Sequence, residues 1–155
     1  MKNRIKNTIA ASSAVLAIAA SAPVGARDDR LMFPVNAALE KGKTTNDKID
    51  AGVRLYFGKQ ATPAVEKALG EWTANKKTNA SNKTDQEACE IAFVSAIVSL
   101  QQRARNEGGD AVINIVSVYR NERRESPTEY VCGAGTFVAG VALRGTVVKL
   151  KKKSP

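Results

Sequence analysis

The chain has 155 residues, with 24 Lys and Arg against 15 Asp and Glu, and it contains no histidine. The lack of histidine excludes Ser-His-Asp and Cys-His catalysis, and it excludes every metal site that depends on imidazole. Four of the lysines lie within the last seven residues, so the rest of the chain is nearly balanced in charge and no nucleic-acid-binding face is expected.

Residues 1–26 have the pattern of a secretory signal peptide. Three cations within the first six residues precede the uncharged apolar run Ile9–Ala22, and Val24–Ala26 supplies small residues for a cleavage site. The alternative is an uncleaved anchor, but the run is shorter than the roughly 20 residues that a bilayer-spanning helix needs. We therefore expect a periplasmic or secreted protein that begins near Arg27 after cleavage.

The 129 residues after the signal are the size of a single domain. We predict an N-terminal arm over 27–50, one α+β domain over 51–150 and a basic C-terminal tail over 151–155. The arm is mostly polar, with one apolar run at Leu31–Val35 and a helical turn around Ala37–Leu39. We expect it to have marginal order.

The first strand of the domain is predicted at Gly52–Phe57, where apolar and polar residues alternate with a period of two. Thr62-Pro63 then has the pattern of a helix or turn start, with Val65, Ala68 and Leu69 on its inward side. A second, partly exposed strand is predicted from about Gly70 to Lys77, and an Asn-, Ser- and Lys-rich loop follows it.

A long helix is the most clearly marked element. Thr84 and Glu87 form a capping box, in which each side chain binds a backbone N–H of the other residue. Apolar residues recur at spacings of three and four from Asp85 to about Glu107, and Gly108-Gly109 provides the left-handed end.

The remainder of the chain is typical of strands. Ala111–Tyr119 is β-branched and nearly continuous, Arg120–Pro127 is a charged loop, and Thr128–Cys132 and Thr136–Leu150 are two further strands. The whole order predicts an α+β fold: a mostly antiparallel sheet of about four to five strands, covered on one face by one long helix.

Cys89 and Cys132 are the two cysteines of the chain. In an exported protein an even pair predicts a structural disulfide, which here would attach the long helix to the sheet. The alternative is a redox-active or metal-binding pair, but two thiols 43 positions apart make a weak metal site. We predict no cofactor and no metal ligand.

Three segments carry a resemblance to known proteins: Asn75–Cys89, Gly109–Ile115 and Glu129–Gly135. Together they resemble a family of small exported proteobacterial proteins, many of which are labelled "excinuclease ATPase subunit". The helix–glycine–strand portion is also similar to the YbjQ-type fold and to the related domain of the outer-membrane lipoprotein sensor of the Rcs envelope-stress pathway. The resemblance implies an envelope binding or stress-sensing module with a protein partner, and it leaves oligomerisation open.

The residues argue against the ATPase label. Gly42-Lys43-Thr44 matches the end of a phosphate-binding loop, but that pattern needs a glycine where this chain has Ala37. We therefore expect a protein that is not an enzyme. The alternatives are a small-molecule or metal carrier, suggested by the "heavy-metal-binding" label of the YbjQ type, and a carboxylate hydrolase of cell-wall material using Glu71 or Glu129.

The candidate contact residues fall into three groups, each with a simpler structural explanation. A charged loop is usually only solvated, a terminal lysine run is often disordered, and a lone tryptophan is often a partly buried anchor. As binding groups, the loop would contact an anionic partner, the tail would contact acidic lipid, and the tryptophan and asparagines would shape a ligand pocket. The groups are Arg120, Arg123 and Arg124; Lys151, Lys152 and Lys153; and Trp72, Asn75 and Asn79.

Overall fold

A computed structural model describes residues 27–44 and 49–152 of the chain. The predicted signal peptide, Lys153 and part of the predicted arm lie outside the described residues. These residues form six strands and two helices: β1 Asp28–Pro34, α1 Val35–Thr44, β2 Arg54–Phe57, β3 Val65–Asn79, α2 Asp85–Asn106, β4 Ala111–Ser117, β5 Glu129–Gly135 and β6 Val138–Leu150. A short 3-10 turn, Tyr119–Asn121, follows β4.

The sheet is organised around β6. On one side β6 pairs antiparallel with β3 from Val138, opposite Asn79, to Leu150, opposite Val65. On the other side it pairs antiparallel with β5 near its start and with β4 towards its end. β1 extends the sheet beyond β5, and β2 pairs with β4 in the parallel sense. The α+β class is therefore confirmed, with six strands in the described part of the chain.

The described part of the chain contains two helices, whereas the sequence predicts one long helix. α2 begins at the predicted capping box, in which the Thr84 hydroxyl accepts from the Glu87 N–H at 3.2 Å and the Glu87 carboxylate accepts from the Thr84 N–H at 3.1 Å. Its buried side contacts β3, β4, β5 and β6. α1 packs on α2 and buries Val35, Ala38 and Gly42. A helix of this length needs such tertiary contacts to be stable.

Two segments differ from their predicted structure. Residues 28–44 of the predicted arm form β1 and α1, and β1 is paired along its whole length with β5. The segment around Val65–Leu69, predicted as a helix or turn, is instead the start of β3. Pro63 lies in the loop before that strand, where its missing N–H removes no ladder hydrogen bond.

The core lies between α2 and the inner face of the sheet. Phe93 of α2 stacks on Tyr130 of β5 with ring centroids 4.1 Å apart. One turn of helix away, Cys89 bonds to Cys132 with the two Cα atoms 5.8 Å apart, and both residues are fully buried. The predicted attachment of helix to sheet by a disulfide is therefore confirmed.

Candidate functional site

A cleft of about 410 Å³ lies between the outer face of the β1–β5 pair and the turn that follows β4. We call it the basic cleft. Three of its side chains are arginines. It is lined by Arg30, Met32, Tyr119, Glu122, Arg123, Arg124 and Val131.

The register of β1 against β5 builds the floor of the basic cleft. Met32 lies opposite Val131, and Arg30 lies opposite Gly133, so these residues share the outer face of the sheet. Leu31 and Phe33 point the other way and pack on the core. The floor is therefore apolar at Met32 and Val131 and cationic beside them, and Met32 remains 38% exposed.

The wall of the basic cleft is a turn with an unusual backbone. Arg120 and Asn121 both have left-handed conformations, with φ of 51° and 63°. Such a conformation is unfavourable for arginine and persists only where the surroundings determine it. Here the flanking residues do so, because the N–H groups of Ser117 and Arg124 each donate to the carbonyl of the other, at 3.0 and 2.8 Å.

Tyr119 connects this wall to the floor. Its ring lies against Gly133, and its hydroxyl donates to a carboxylate oxygen of Asp28 at 2.9 Å. The Arg120 guanidinium also pairs with Asp28 and lies 5.9 Å from the centre of the Tyr119 ring. Burial, followed by the hydrogen bond to Asp28, raises the pKa of Tyr119 above its usual value, so the phenol remains a hydrogen-bond donor at neutral pH.

The arginines of the basic cleft differ in their partners. Arg30 pairs with Glu122, which raises the pKa of Arg30, and Arg123 pairs with Glu125 at 3.0 Å. Arg124 has no carboxylate at ion-pair distance among residues 27–44 and 49–152. Exposed ion pairs contribute about 0–1 kcal/mol each, so an incoming anion can replace them at little cost.

The structure thus brings together part of the predicted arginine group. Arg123 and Arg124 line the basic cleft, whereas Arg120 supports its wall through Asp28. Sequence reasoning missed Arg30 and Met32, because it assigned them to the arm. Leu31–Pro34 are all apolar, so the sequence shows no alternation there; the alternate exposure of these side chains appears only in the folded sheet.

Trp72 and the two asparagines do not share a pocket. Trp72 lies on the inner side of β3, half-buried, with the Arg103 guanidinium 5.6 Å from the centre of its ring. A small cleft of about 200 Å³ separates this part of β3 from α2. Asn75 and Asn79 are exposed on the opposite face of β3, and the Asn79 side chain accepts from the Ser81 N–H at 2.8 Å.

The basic tail begins at the far end of β6. Lys151 and Lys152 are exposed, and the Lys151 N–H donates to the Ala64 carbonyl at 2.8 Å. In the described part of the chain no three cysteine or carboxylate side chains come together as a metal site would require. Neither α1 nor α2 is long and apolar enough to cross a bilayer.

Comparisons with known proteins found no similarity to this chain. No protein-family model matches it, and no curated protein or solved structure does so either.

Proposed function

We propose that this protein is a non-enzymatic binding module of the bacterial envelope, and that it recognises an acidic segment of a partner protein at the basic cleft. The observation that carries the proposal is the composition of this cleft. It combines an arginine without an ion-pair partner among the described residues, two arginines in exposed ion pairs and an apolar floor within one concavity of about 410 Å³.

Each part of the basic cleft suits one part of an acidic peptide. Arg124 offers a planar guanidinium that binds a carboxylate through two parallel hydrogen bonds. Met32 and Val131 provide an apolar surface for one aliphatic side chain of the same segment, and methionine adapts readily to different shapes. The volume lies within the range of about 300–1,000 Å³ that is usual for small binding sites.

The proposed setting is the periplasm, where the protein would take part in sensing envelope stress. The signal-like residues 1–26 and the fully buried disulfide between Cys89 and Cys132 support an oxidising compartment. The resemblance to small exported proteobacterial proteins and to the Rcs sensor domain supports the same setting by analogy.

Peptide binding tests the proposed chemistry. A fluorescent peptide of alternating Asp and Leu is titrated with the protein, and we expect Arg124→Gln to weaken binding about tenfold, because a lost charged hydrogen bond costs roughly 1.5–3 kcal/mol. Arg54→Gln is the matched control, since Arg54 is an exposed arginine of β2 outside the basic cleft. The same peptide with Lys in place of Asp is expected not to bind.

Salt dependence provides a second readout. Binding of the acidic peptide is expected to weaken as ionic strength rises, because exposed charges are screened within about 10 Å at 0.1 M salt. Equal affinities for the Asp and Lys peptides, or equal effects of Arg124→Gln and Arg54→Gln, would exclude the basic cleft as the recognition site. In cells, a deletion that leaves the envelope-stress response unchanged would oppose the sensing role.

A further inference from the structure

The hairpin between β5 and β6 exposes an apolar tip. Phe137 is 71% exposed and Val138 is 49% exposed, the largest values for bulky apolar side chains among the described residues. A two-residue turn, Thr136-Phe137, joins the strands, so both side chains stand at the end of the sheet. We call residues 136–138 the hairpin tip.

The hairpin tip lies beside the point where the described chain begins. Asp28 is opposite Gly135 in the β1–β5 register, so Arg27 is adjacent to the tip. On the other side, the Ala80 N–H donates to the Phe137 carbonyl at 2.9 Å.

Cations surround the hairpin tip. Lys77 lies opposite Gly140, and Lys83 lies in the loop that begins at Ala80. Neither lysine has a carboxylate at ion-pair distance among residues 27–44 and 49–152. Arg27 is paired with both Asp29 and Asp85, so its charge offsets one of their two negative charges.

We propose that the hairpin tip is a membrane-contact site, which inserts Phe137 and Val138 into the headgroup region of an anionic bilayer while Lys77 and Lys83 contact lipid phosphates. A convex tip with two apolar side chains offers far less than the roughly 800 Å² per partner that a stable protein interface buries. A bilayer needs no complementary shape, and it accepts apolar groups to a depth of about 5–10 Å. This surface is separate from the basic cleft.

The geometry distinguishes the hairpin tip from the basic tail. Val138 and Leu150 are the two ends of β6, and a strand of that length spans about 40 Å. Lys151 and Lys152 follow Leu150 directly, so they lie at the opposite end of the sheet. Substitutions at the two ends can therefore be compared in one assay.

Vesicle partition tests the proposal. The protein is prepared from Arg27 onwards, which retains every described helix and strand and the disulfide, and it is mixed with vesicles of phosphatidylglycerol and phosphatidylethanolamine. Phe137→Ser is expected to lower the partition coefficient about tenfold to a hundredfold, the loss that corresponds to one buried phenylalanine. Lys77→Gln and Lys83→Gln are each expected to lower it about fivefold with these vesicles and little with phosphatidylcholine alone.

Two controls separate insertion from general adhesion. Lys59→Gln removes a highly exposed lysine away from the hairpin tip and is expected to leave partition unchanged, as is the triple substitution of Lys151, Lys152 and Lys153 by Gln. In Phe137→Trp, brominated lipids are expected to quench the emission of the added tryptophan. The emission of wild-type protein, which comes from Trp72 alone, provides the comparison. Circular dichroism verifies that each variant is folded.

The same experiments identify the results that would overturn the proposal. Equal partition of wild-type protein and Phe137→Ser would remove the apolar contact, and unquenched emission from the tryptophan added in Phe137→Trp would place the tip in water. Sedimentation equilibrium tests whether the hairpin tip instead binds a second copy of the protein. A dimer that Phe137→Ser converts to a monomer, together with no vesicle binding by the wild type, would assign the hairpin tip to self-association.

Discussion

Among single residues, Gly133 of β5 lies beside the basic cleft at a position where a side chain would clash with Tyr119. A Cβ atom added to Gly133 would lie 1.9 Å from the Tyr119 hydroxyl oxygen and 2.0 Å from the ring carbon that bears it. The absence of a side chain therefore allows the Tyr119 ring to lie on β5 and to reach Asp28. Gly140, directly opposite on β6, has its nearest such contact at 3.4 Å, to a methylene of Lys77.

We predict that Gly133→Ala is destabilising while Gly140→Ala is well tolerated. In Gly133→Ala the tyrosine ring must move and lose its hydrogen bond to Asp28, and overpacking of this kind costs about 1–3 kcal/mol. Gly140→Ala makes ordinary contact and is expected to change stability by less than about 1 kcal/mol. Urea unfolding of both variants measures the difference, and similar losses in the two would contradict this account of Tyr119.

The left-handed backbone conformation of Arg120 and Asn121 is a feature that the sequence does not predict. The density of charge from Arg120 to Glu125 predicted a loop and a contact surface, and the loop is present. The conformation depends on paired backbone hydrogen bonds between Ser117 and Arg124 and on the salt bridge to Asp28, a residue far away in sequence. No pattern of neighbouring residues could identify Asp28 as the partner.

At the scale of elements, the capping box of α2 is the best local predictor of structure in this chain. Thr84 and Glu87 satisfy two backbone N–H groups at the helix start, as their spacing predicts. We expect Thr84→Ala to lower the free energy of unfolding by about 1 kcal/mol, measured by urea titration at neutral pH. Ser81 lies outside the helix, so Ser81→Ala is a suitable control, and an equal effect in both variants would contradict the capping role.

The same box predicts a pH dependence. The backbone and hydroxyl hydrogen bonds from Thr84 hold the pKa of Glu87 below its usual value in the folded protein. The stability that Glu87 contributes is therefore complete above its unfolded pKa of about 4.3 and is lost as pH falls through the folded pKa. The stability difference between wild type and Glu87→Gln should shrink over that acidic range, and a difference that stays constant there would contradict the prediction.

The disulfide provides a third prediction for an element, since it attaches α2 to β5. Replacing both Cys89 and Cys132 by Ala removes the constraint on a loop of 43 positions, and we expect a loss of about 4 kcal/mol. Oxidised wild type and the double variant are compared by urea unfolding. Thiol labelling is the check: two reactive thiols in native protein would contradict the bonded pair.

The sequence predicts the middle of β3 as a strand but not its start, because two bulges lie near that start. Bulges between Val65 and Lys67 and between Ala68 and Gly70 shift the register against β6. Each bulge changes the phase of side-chain alternation, so the period of two is lost over these residues. The local pattern is therefore similar to that of a helix start, although pairing with β6 makes these residues a strand.

For the whole molecule, the main difference from expectation is that the chain from Asp28 to Thr44 is part of the domain. Leu31 is opposite Cys132, so the strand that completes β1 comes from much later in the chain. Leu31–Pro34 are apolar throughout, so the alternation that marks a half-buried strand is missing from the sequence, and only pairing with β5 makes these residues a strand. The basic cleft was only half predicted for the same reason.

Unfolding by two probes tests whether this segment belongs to one cooperative unit. Val35 begins α1 and is 1% exposed, so Val35→Ala should lower stability by about 2 kcal/mol through lost methyl burial. Trp72 lies on β3, and its fluorescence should shift to the same lower urea midpoint as circular dichroism if the molecule unfolds as a whole. Ala37→Ser, at an exposed position of α1, should change stability by no more than about 0.5 kcal/mol. A Trp72 transition that does not move in Val35→Ala would mean that β1 and α1 detach independently, and the basic cleft would then open without unfolding of the core.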